Sequence, residues 1–338
     1  MPSLPKPRFV RVSRTRGPVA APSGEPEQVS PVEVVEGAGV RWVHIDAPRP
    51  SHRAWLEERF DFHPLDYEDV FSRNQRPKID EYDDYLFIVL YFPRYDKQVG
   101  RLNAAELDLF VGPDFLVTLP NQTLQPVSYL FERCRASDEL RENWFSKGTG
   151  YLLYKIIDTC VDASFPMLAK MGTKLERIED EIFAGNSAAV VRDISNVKQE
   201  IINFRKIVRP QRPVFGDLER TKQRYLAADL DVYFDDVIDA SERVWQMLET
   251  YKETVEALEA TNESVLSHQL NDVLRVLTAL SVVFLPLTMI ASLFGMNVGL
   301  PGGADPGDGP TVSFWVILAV MVAALVGMVA YFRRRRWL

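Results

Sequence analysis

Two uncharged apolar runs close this chain, and together they limit what it can fold into. Val276 to Phe294 reads VLTALSVVFLPLTMIASLF, and Val312 to Phe332 reads VSFWVILAVMVAALVGMVAYF. A helix needs about 20 apolar residues to cross the hydrocarbon of a bilayer, and inside it every backbone polar group must be satisfied within the segment. Both runs meet that length, and a short Gly/Pro/Asp loop joins them. The expected result is a membrane hairpin at the C-terminal end, with helices at about 273–295 and 312–332. Phe294-Gly295-Met296-Asn297 lies at the mouth of the first helix.

The hairpin sets the topology. Arg333 to Arg336 follow the second run, which assigns that end to the cytoplasm under the positive-inside rule. Two spans return the chain to its starting side, so the residues before Val276 are expected there too. The loop between the runs contains no Lys or Arg, as an outward-facing loop should. The reading is a multi-pass protein of the inner or plasma membrane with both termini cytoplasmic. No stretch near the N-terminus has the apolar core of a secretory signal.

The remaining length divides into three. Residues 1–30 are rich in Pro, Ser, Gly and Arg and read as a flexible basic tail. Residues 31–150 read as an α/β domain with a mostly buried sheet. VRWVHID, YLFIVLYF, AELDLFVG and FLVTL have strand composition, whereas SHRAWLEERF and PLDYEDVFS read as helices. Residues 151–272 read as a helical stalk. One helix is expected from Tyr151 to Phe183, ending at Ala184-Gly185-Asn186, and a second from Ala188 to Val208, stopping before Pro210 and Pro213. A third begins near Asp231 and meets no Gly or Pro before Pro286. At the usual rise, Asp231 to Phe294 spans about 95 Å, too long for a globular domain and suited to a stalk entering the membrane.

Enzymatic signals are missing. No Walker-type, dinucleotide-binding or H-E-x-x-H pattern is present, and Cys134 and Cys160 form neither a disulfide framework nor a thiolate zinc site. The four histidines have no close ligand spacing, and the Asp80-Glu81-Tyr82-Asp83-Asp84 run reads as charged surface. No prosthetic group and no nucleic-acid partner are expected.

A second pattern runs along the helix entering the membrane. Asn271, Leu274, Thr278, Ser281, Leu285, Thr288, Ser292 and Gly295 step by three and four and alternate apolar with small polar residues. Such a stripe serves either tight helix packing or a wet lumen. One copy of two spans cannot enclose an aqueous path, so transport requires a homo-oligomer. At the mouth, Asn297 amide oxygens and backbone carbonyls would hydrogen-bond the water shell of a hard cation without stripping it. Neutral oxygens hold the ion weakly enough to let it leave.

These residues resemble the CorA family of divalent-cation transporters. The likeness covers about Val40 to the C-terminus: Phe62-His63-Pro64-Leu65, Glu68-Asp69, Arg76-Pro77-Lys78 and Asp84 to Leu90, in order and spacing, then Leu285-Pro286-Leu287-Thr288, Gly295-Met296-Asn297 and Tyr331-Phe332 with the basic run and Trp337-Leu338. The resemblance implies a funnel-shaped homopentamer whose first membrane helix lines the pore. It also implies passive Mg²⁺ transport, with Co²⁺ or Ni²⁺ as competitors. By the same resemblance, Gly295, Met296 and Asn297 form the selectivity ring, Asn271 a cytoplasmic polar ring, Leu274, Leu277 and Leu285 the constrictions, and Thr288 a polar step. Asp96 and Asp236 fall where relatives place regulatory carboxylates between protomers, implying closure by intracellular Mg²⁺.

The sequence departs from the family in two places. Ala260 stands where some relatives carry an aspartate ring, with Glu259 and Glu263 nearby. The outer loop lacks the acidic stretch common in magnesium members, keeps Asp305 and Asp308, and has a Gly-Leu-Pro-Gly-Gly run resembling the zinc-transporting branch. A proton-coupled zinc transporter on the same scaffold, and a membrane-anchored sensor or interaction protein, therefore remain as alternatives.

Overall fold

In the computed structural model, the described residues are 30–335 except 73–74, 97–100, 185–186, 222–229 and 296–311. The expected N-terminal tail up to residue 29, the whole outer loop, and Met296 and Asn297 lie outside them. So do Gly185 and Asn186 of the expected helix end, and Arg336, Trp337 and Leu338.

Six strands form one mixed sheet: β1 (Glu33–Gly37), β2 (Val40–His44), β3 (Lys78–Glu81), β4 (Leu86–Asp96), β5 (Arg101–Val111) and β6 (Phe115–Pro120). Their spatial order is β1-β2-β6-β5-β4-β3, with β2 and β6 parallel and every other neighbour antiparallel. Leu86 to Leu90 are all buried because the sheet is covered on both faces, which is why this strand reads as a continuous apolar run. On one face α1 (Pro50–Arg59) and α2 (Pro64–Ser72) cover Val43, Phe87, Val89, Phe110 and Leu119. On the other, α3 (Gln125–Ala136) and α5 (Thr149–Asp162) cover Trp42, Leu107, Leu109 and Leu116, and α4 (Asp138–Phe145) links them. The short, polar edge strands β1 and β3 carry too little apolar signal to be read from the sequence; pairing with β2 and β4 makes them strands.

Two helix boundaries differ from expectation. The helix expected from Tyr151 to Phe183 is two helices, α5 and α6 (Ser164–Ala184), parted at Ala163. Pro166 explains the break: it donates no hydrogen bond, and its ring crowds the carbonyl four residues back, that of Asp162. The helix expected to stop at Val208 instead runs through both prolines as α7 (Ser187–Arg220). Each internal proline costs about 3 kcal/mol, but packing on both sides offsets it. Ile207, Val208, Val214, Phe215 and Leu218 are buried. The Gln211 side chain accepts a hydrogen bond from the Tyr91 backbone N–H of β4 at 3.2 Å. Arg205 pairs with Glu249 at 2.6 Å, and Arg212 with Glu242, both acids on the next helix.

That next helix, α8 (Asp231–Phe294), has 64 residues and confirms the uninterrupted stretch read from sequence. Its first half buries Phe234, Val237, Ala240, Val244, Leu248, Val255 and Leu258 at helical spacing against α5, α6 and α7. Beyond Asn262 that packed face ends, and from Val276 the apolar run begins. The last helix, α9 (Val312–Arg334), returns beside it, touching through Ala279, Val283 and Phe332 with Leu287, Leu325 and Met328 at the margin.

Under α2, the sheet carries one unusual group. Asp108 of β5 is 1% exposed, and neither carboxylate oxygen has a hydrogen-bond partner. Burial above all, then the neighbouring Glu106 and Asp69, hold its pKa well above the usual 3.8, with Lys78 working against them. The folded state therefore binds this proton more tightly than the unfolded chain. The associated stability is complete below the unfolded pKa and is lost as pH rises through the folded one. Asp108→Asn, which keeps the shape and cannot ionise, should raise the melting temperature at about pH 8, with the gain shrinking toward about pH 4. Thermal unfolding of the purified protein across that range checks this; a gain independent of pH would contradict it.

Candidate functional site

The second half of α8 and most of α9 from Trp315 onward expose what a water-soluble protein hides. Their most apolar stretches have mean hydropathies of 2.2 and 2.5, yet only 11% and 6% of those residues are buried. A core helix of a soluble protein would be mostly buried, and contiguous exposed apolar surface of this extent calls for lipid or further protein.

The position of α9 decides which face of α8 is available. Ala279, Val283 and Leu287 face α9. At about 100° per residue, Leu274, Ser281 and Leu285 lie roughly 160–200° around the helix from Val283, and Thr278 and Thr288 close to them. Leu274, Leu277, Thr278, Ser281, Leu285 and Thr288 are all exposed in the single chain, as is Asn271. The hydroxyl stripe therefore does not serve packing within the hairpin. It is the surface left for other copies or for water.

The hydroxyls on that stripe are already aimed. Thr278 donates to the Leu274 carbonyl at 2.7 Å, Ser281 to the Leu277 carbonyl at 2.9 Å, and Thr288 to the Phe284 carbonyl at 2.8 Å. Each proton is used inside the helix, so each oxygen turns its lone pairs outward as an acceptor. A hydrated cation presents water O–H groups, and acceptors are what those groups need. Leu274, Leu277 and Leu285 interrupt this acceptor line with exposed apolar side chains.

Gly295 ends α8 with ordinary right-handed torsions (φ −87°, ψ −1°), donating its N–H to the Ala291 carbonyl at 2.9 Å. Its service to the turn is therefore not a left-handed conformation. A Cβ there would come within 3.1 Å of that same carbonyl. Met296 and Asn297 follow outside the described residues. Pro286 sits inside α8 without ending it.

The two expected regulatory carboxylates lie on separate elements. Asp96 ends β4, half-buried and in register with Arg101 of β5, while Asp236 is exposed near the start of α8. Asp236 has acidic company that the linear reading missed. Asp162, at the end of α5, has its pKa raised by burial first and then by Asp158 and Asp236, against the pull of Arg243 and Lys155. Asp158 and Asp162 are four apart on one helix face, the only trace of this grouping in the sequence.

Comparison with known proteins agrees with this geometry. A sequence profile described as CorA-like Mg2+ transporter protein matches residues 37–334. The cobalt/magnesium transport protein CorA of Thermotoga maritima is 30% identical over 301 residues, covering 88% of this chain and 83% of its own. The zinc transport protein ZntB of Yersinia enterocolitica is 20% identical over 314 residues, covering 92% of this chain and 91% of its own. The solved structure of the CorA magnesium transporter from Methanocaldococcus jannaschii superposes with a TM-score of 0.77 at 21% identity, covering 88% of this chain and 92% of that one, which shows a shared fold. The two exposed apolar helices, the long helix continuous with an α/β core and a match over nearly the whole length lead to one assignment: this chain belongs to the CorA-like Mg2+ transporter family, as a membrane transporter of divalent metal cations and not an enzyme.

Proposed function

We propose that the chain forms a homopentameric channel that admits Mg²⁺, with Co²⁺ or Ni²⁺ as competitors, down its electrochemical gradient and with both termini in the cytoplasm. The observation that carries this reading is the exposed acceptor stripe of α8, turned away from α9. In a ring of copies, Asn271, Thr278, Ser281 and Thr288 line an aqueous path, and Leu274, Leu277 and Leu285 narrow it. Gly295, Met296 and Asn297 form the outer ring, where neutral oxygens hold the ion through its water shell. No nucleotide-binding motif is present, so the membrane potential supplies the driving force. For a divalent ion it amounts to about 4.6 kcal/mol per 100 mV, twice the unit-charge value.

The same reading assigns gating to intracellular Mg²⁺ bridging Asp96 of one protomer and Asp236 of its neighbour. Without the ion, the carboxylates repel; with it, they hold the ring symmetric and closed. The concentration of acid around Asp236, with Asp158 and Asp162 beside it, supports a cation requirement there.

A second reading rests on the outer loop. Its Gly-Leu-Pro-Gly-Gly run and lack of an acidic stretch after Asn297 favour proton-coupled Zn²⁺ transport on the same scaffold. A membrane-anchored sensor needs neither the motif nor the stripe.

Three experiments separate these readings. In liposomes containing the purified protein, Mg²⁺ entry should be insensitive to a proton gradient and fall at least about tenfold in Asn297→Ala, the loss expected when about 1.4 kcal/mol of selective stabilisation is removed. Zn²⁺ entry that follows the proton gradient would establish the second reading instead. Asp236→Ala should keep conducting at internal Mg²⁺ levels that close the wild type; identical inhibition curves would discard the gating assignment. Finally, Thr278→Cys and Ser281→Cys should cross-link between copies under mild oxidation, whereas Val283→Cys, against α9, should not. The reverse pattern would take the stripe out of the pore.

A further inference from the structure

The first sixteen residues carry Lys6, Arg8, Arg11, Arg14 and Arg16 and no acid, in a chain whose net charge is -8. Opposite charge gathers at one end of the α/β sheet. There the link between α1 and α2 and the turns β1–β2, β3–β4 and β5–β6 surround an open cavity of about 970 Å³. Asp61 of the helix link, Asp83 and Asp84 of the β3–β4 turn, and Asp114 of the β5–β6 turn line it, all exposed. Among the described residues, none of these four side chains has a hydrogen bond or an ion pair. The two arginines lining the cavity are already held, Arg41 by Glu36 and Arg59 by Glu58, each at 2.6 Å. The rim is therefore short of positive charge.

The wall favours one kind of cation. Phe60, Tyr82 and Phe115 line the cavity half-buried, the rings of Phe60 and Phe115 5.1 Å apart between centroids. A guanidinium is planar, stacks on aromatic faces and pairs with carboxylates through a fork of donors. Arg59 shows that arrangement at the margin, lying over the Trp55 ring at 4.3 Å while bonded to Glu58.

Reach is a separate observation. Ser30, the first described residue, is pinned to α1, its carbonyl accepting from His52 Nε2 at 2.9 Å. From Ser30 the chain leads through β1 to Glu36 on the cavity wall, a span of about 20 Å at the rise of a strand. Gly17 to Val29 lie between Arg16 and Ser30. A coil of that length averages about 20 Å between its ends. A linker whose average length matches the span gives the highest local concentration of what it carries. No apolar run of membrane length stands between the basic segment and the sheet, so both share one compartment.

We propose that the basic segment from Lys6 to Arg16 docks in this cavity of its own chain. Its guanidinium groups stack on Phe60, Tyr82 and Phe115 and pair with Asp61, Asp83, Asp84 and Asp114. The contact is separate from the pore and from Asp96 and Asp236, and it stands or falls independently of them. Because the pairs are exposed, salt weakens it.

Trypsin cleavage of the purified full-length protein in detergent, followed by mass spectrometry, reads the docking. Cleavage after Arg8, Arg11, Arg14 and Arg16 requires the released segment and tracks its population. Asp83→Asn/Asp84→Asn/Asp114→Asn removes three exposed charge contacts and should be cleaved there about tenfold faster than the wild type. Equal rates would overturn the proposal. Protection that appears only when anionic lipid is added, and equally in both proteins, would assign the segment to the membrane surface and overturn it too. In a second measurement, a chain lacking residues 1–16 should bind a fluorescent peptide of those residues. The same peptide with Arg8→Gln, Arg11→Gln, Arg14→Gln and Arg16→Gln should bind at least about tenfold more weakly. Absent or equal binding would contradict the docking. That chain keeps every described residue, so the peptide measurement decides alone if the triple variant does not fold.

Discussion

Everything in this molecule hangs on one continuous helix in two different solvents. The first half of α8 buries a regular apolar face, from Phe234 to Leu258, in the core shared with α5, α6 and α7. The second half has no such core and presents apolar side chains around almost its whole circumference. Because no proline or glycine interrupts α8 between Asp231 and Pro286, a displacement of the packed half cannot be absorbed at a hinge before the membrane. It must appear as a tilt or rotation of the spanning half. The stripe of oxygen acceptors is carried on that lever.

The α/β core is built to hold the lever firmly. Its sheet is covered on both faces, so β4 is apolar from Leu86 to Leu90, and α7 lies between the sheet and α8. Gln211 joins α7 to β4, while Arg205 and Arg212 join it to Glu249 and Glu242 of α8, each guanidinium also near the Trp245 ring. These partly buried pairs lose more if one partner is removed than they contribute as a pair. Their effect is to set the register between α7 and α8. Asp108 departs from this economy of paired charge, being a buried carboxylate without a hydrogen-bonded partner.

Much of this was legible in the linear sequence where a local signal was strong. The two spans, the uninterrupted helix from Asp231, and the central strands announced themselves through length and apolar content. The same reasoning failed where tertiary contacts outweighed local preference. Pro210 and Pro213 read as a stop, yet α7 continues because packing supplies more than the two lost hydrogen bonds. The single helix expected from Tyr151 to Phe183 ran across Pro166, yet that proline parts α5 from α6. β1 and β3 have no strand signal of their own, since an edge strand of polar residues exists only through its partner. The grouping of Asp158 and Asp162 with Asp236, and of Asp61, Asp83 and Asp114 around one cavity, joins residues on separate elements that no spacing rule connects.

By itself, the amino-acid sequence determined that two helices cross a membrane, that a long helix leads into the first of them, and that a stripe of small hydroxyls runs along it. Those are properties of composition and period, which depend only on neighbours along the chain. Only the tertiary structure decided that α9 packs on Ala279 and Val283 and so leaves the hydroxyl stripe uncovered. The hydroxyls of Thr278, Ser281 and Thr288, each bonded to the carbonyl one turn back within α8, are left on that uncovered face. Which face of a helix is free depends on what else occupies space around it, and that information lies in packing rather than in sequence order.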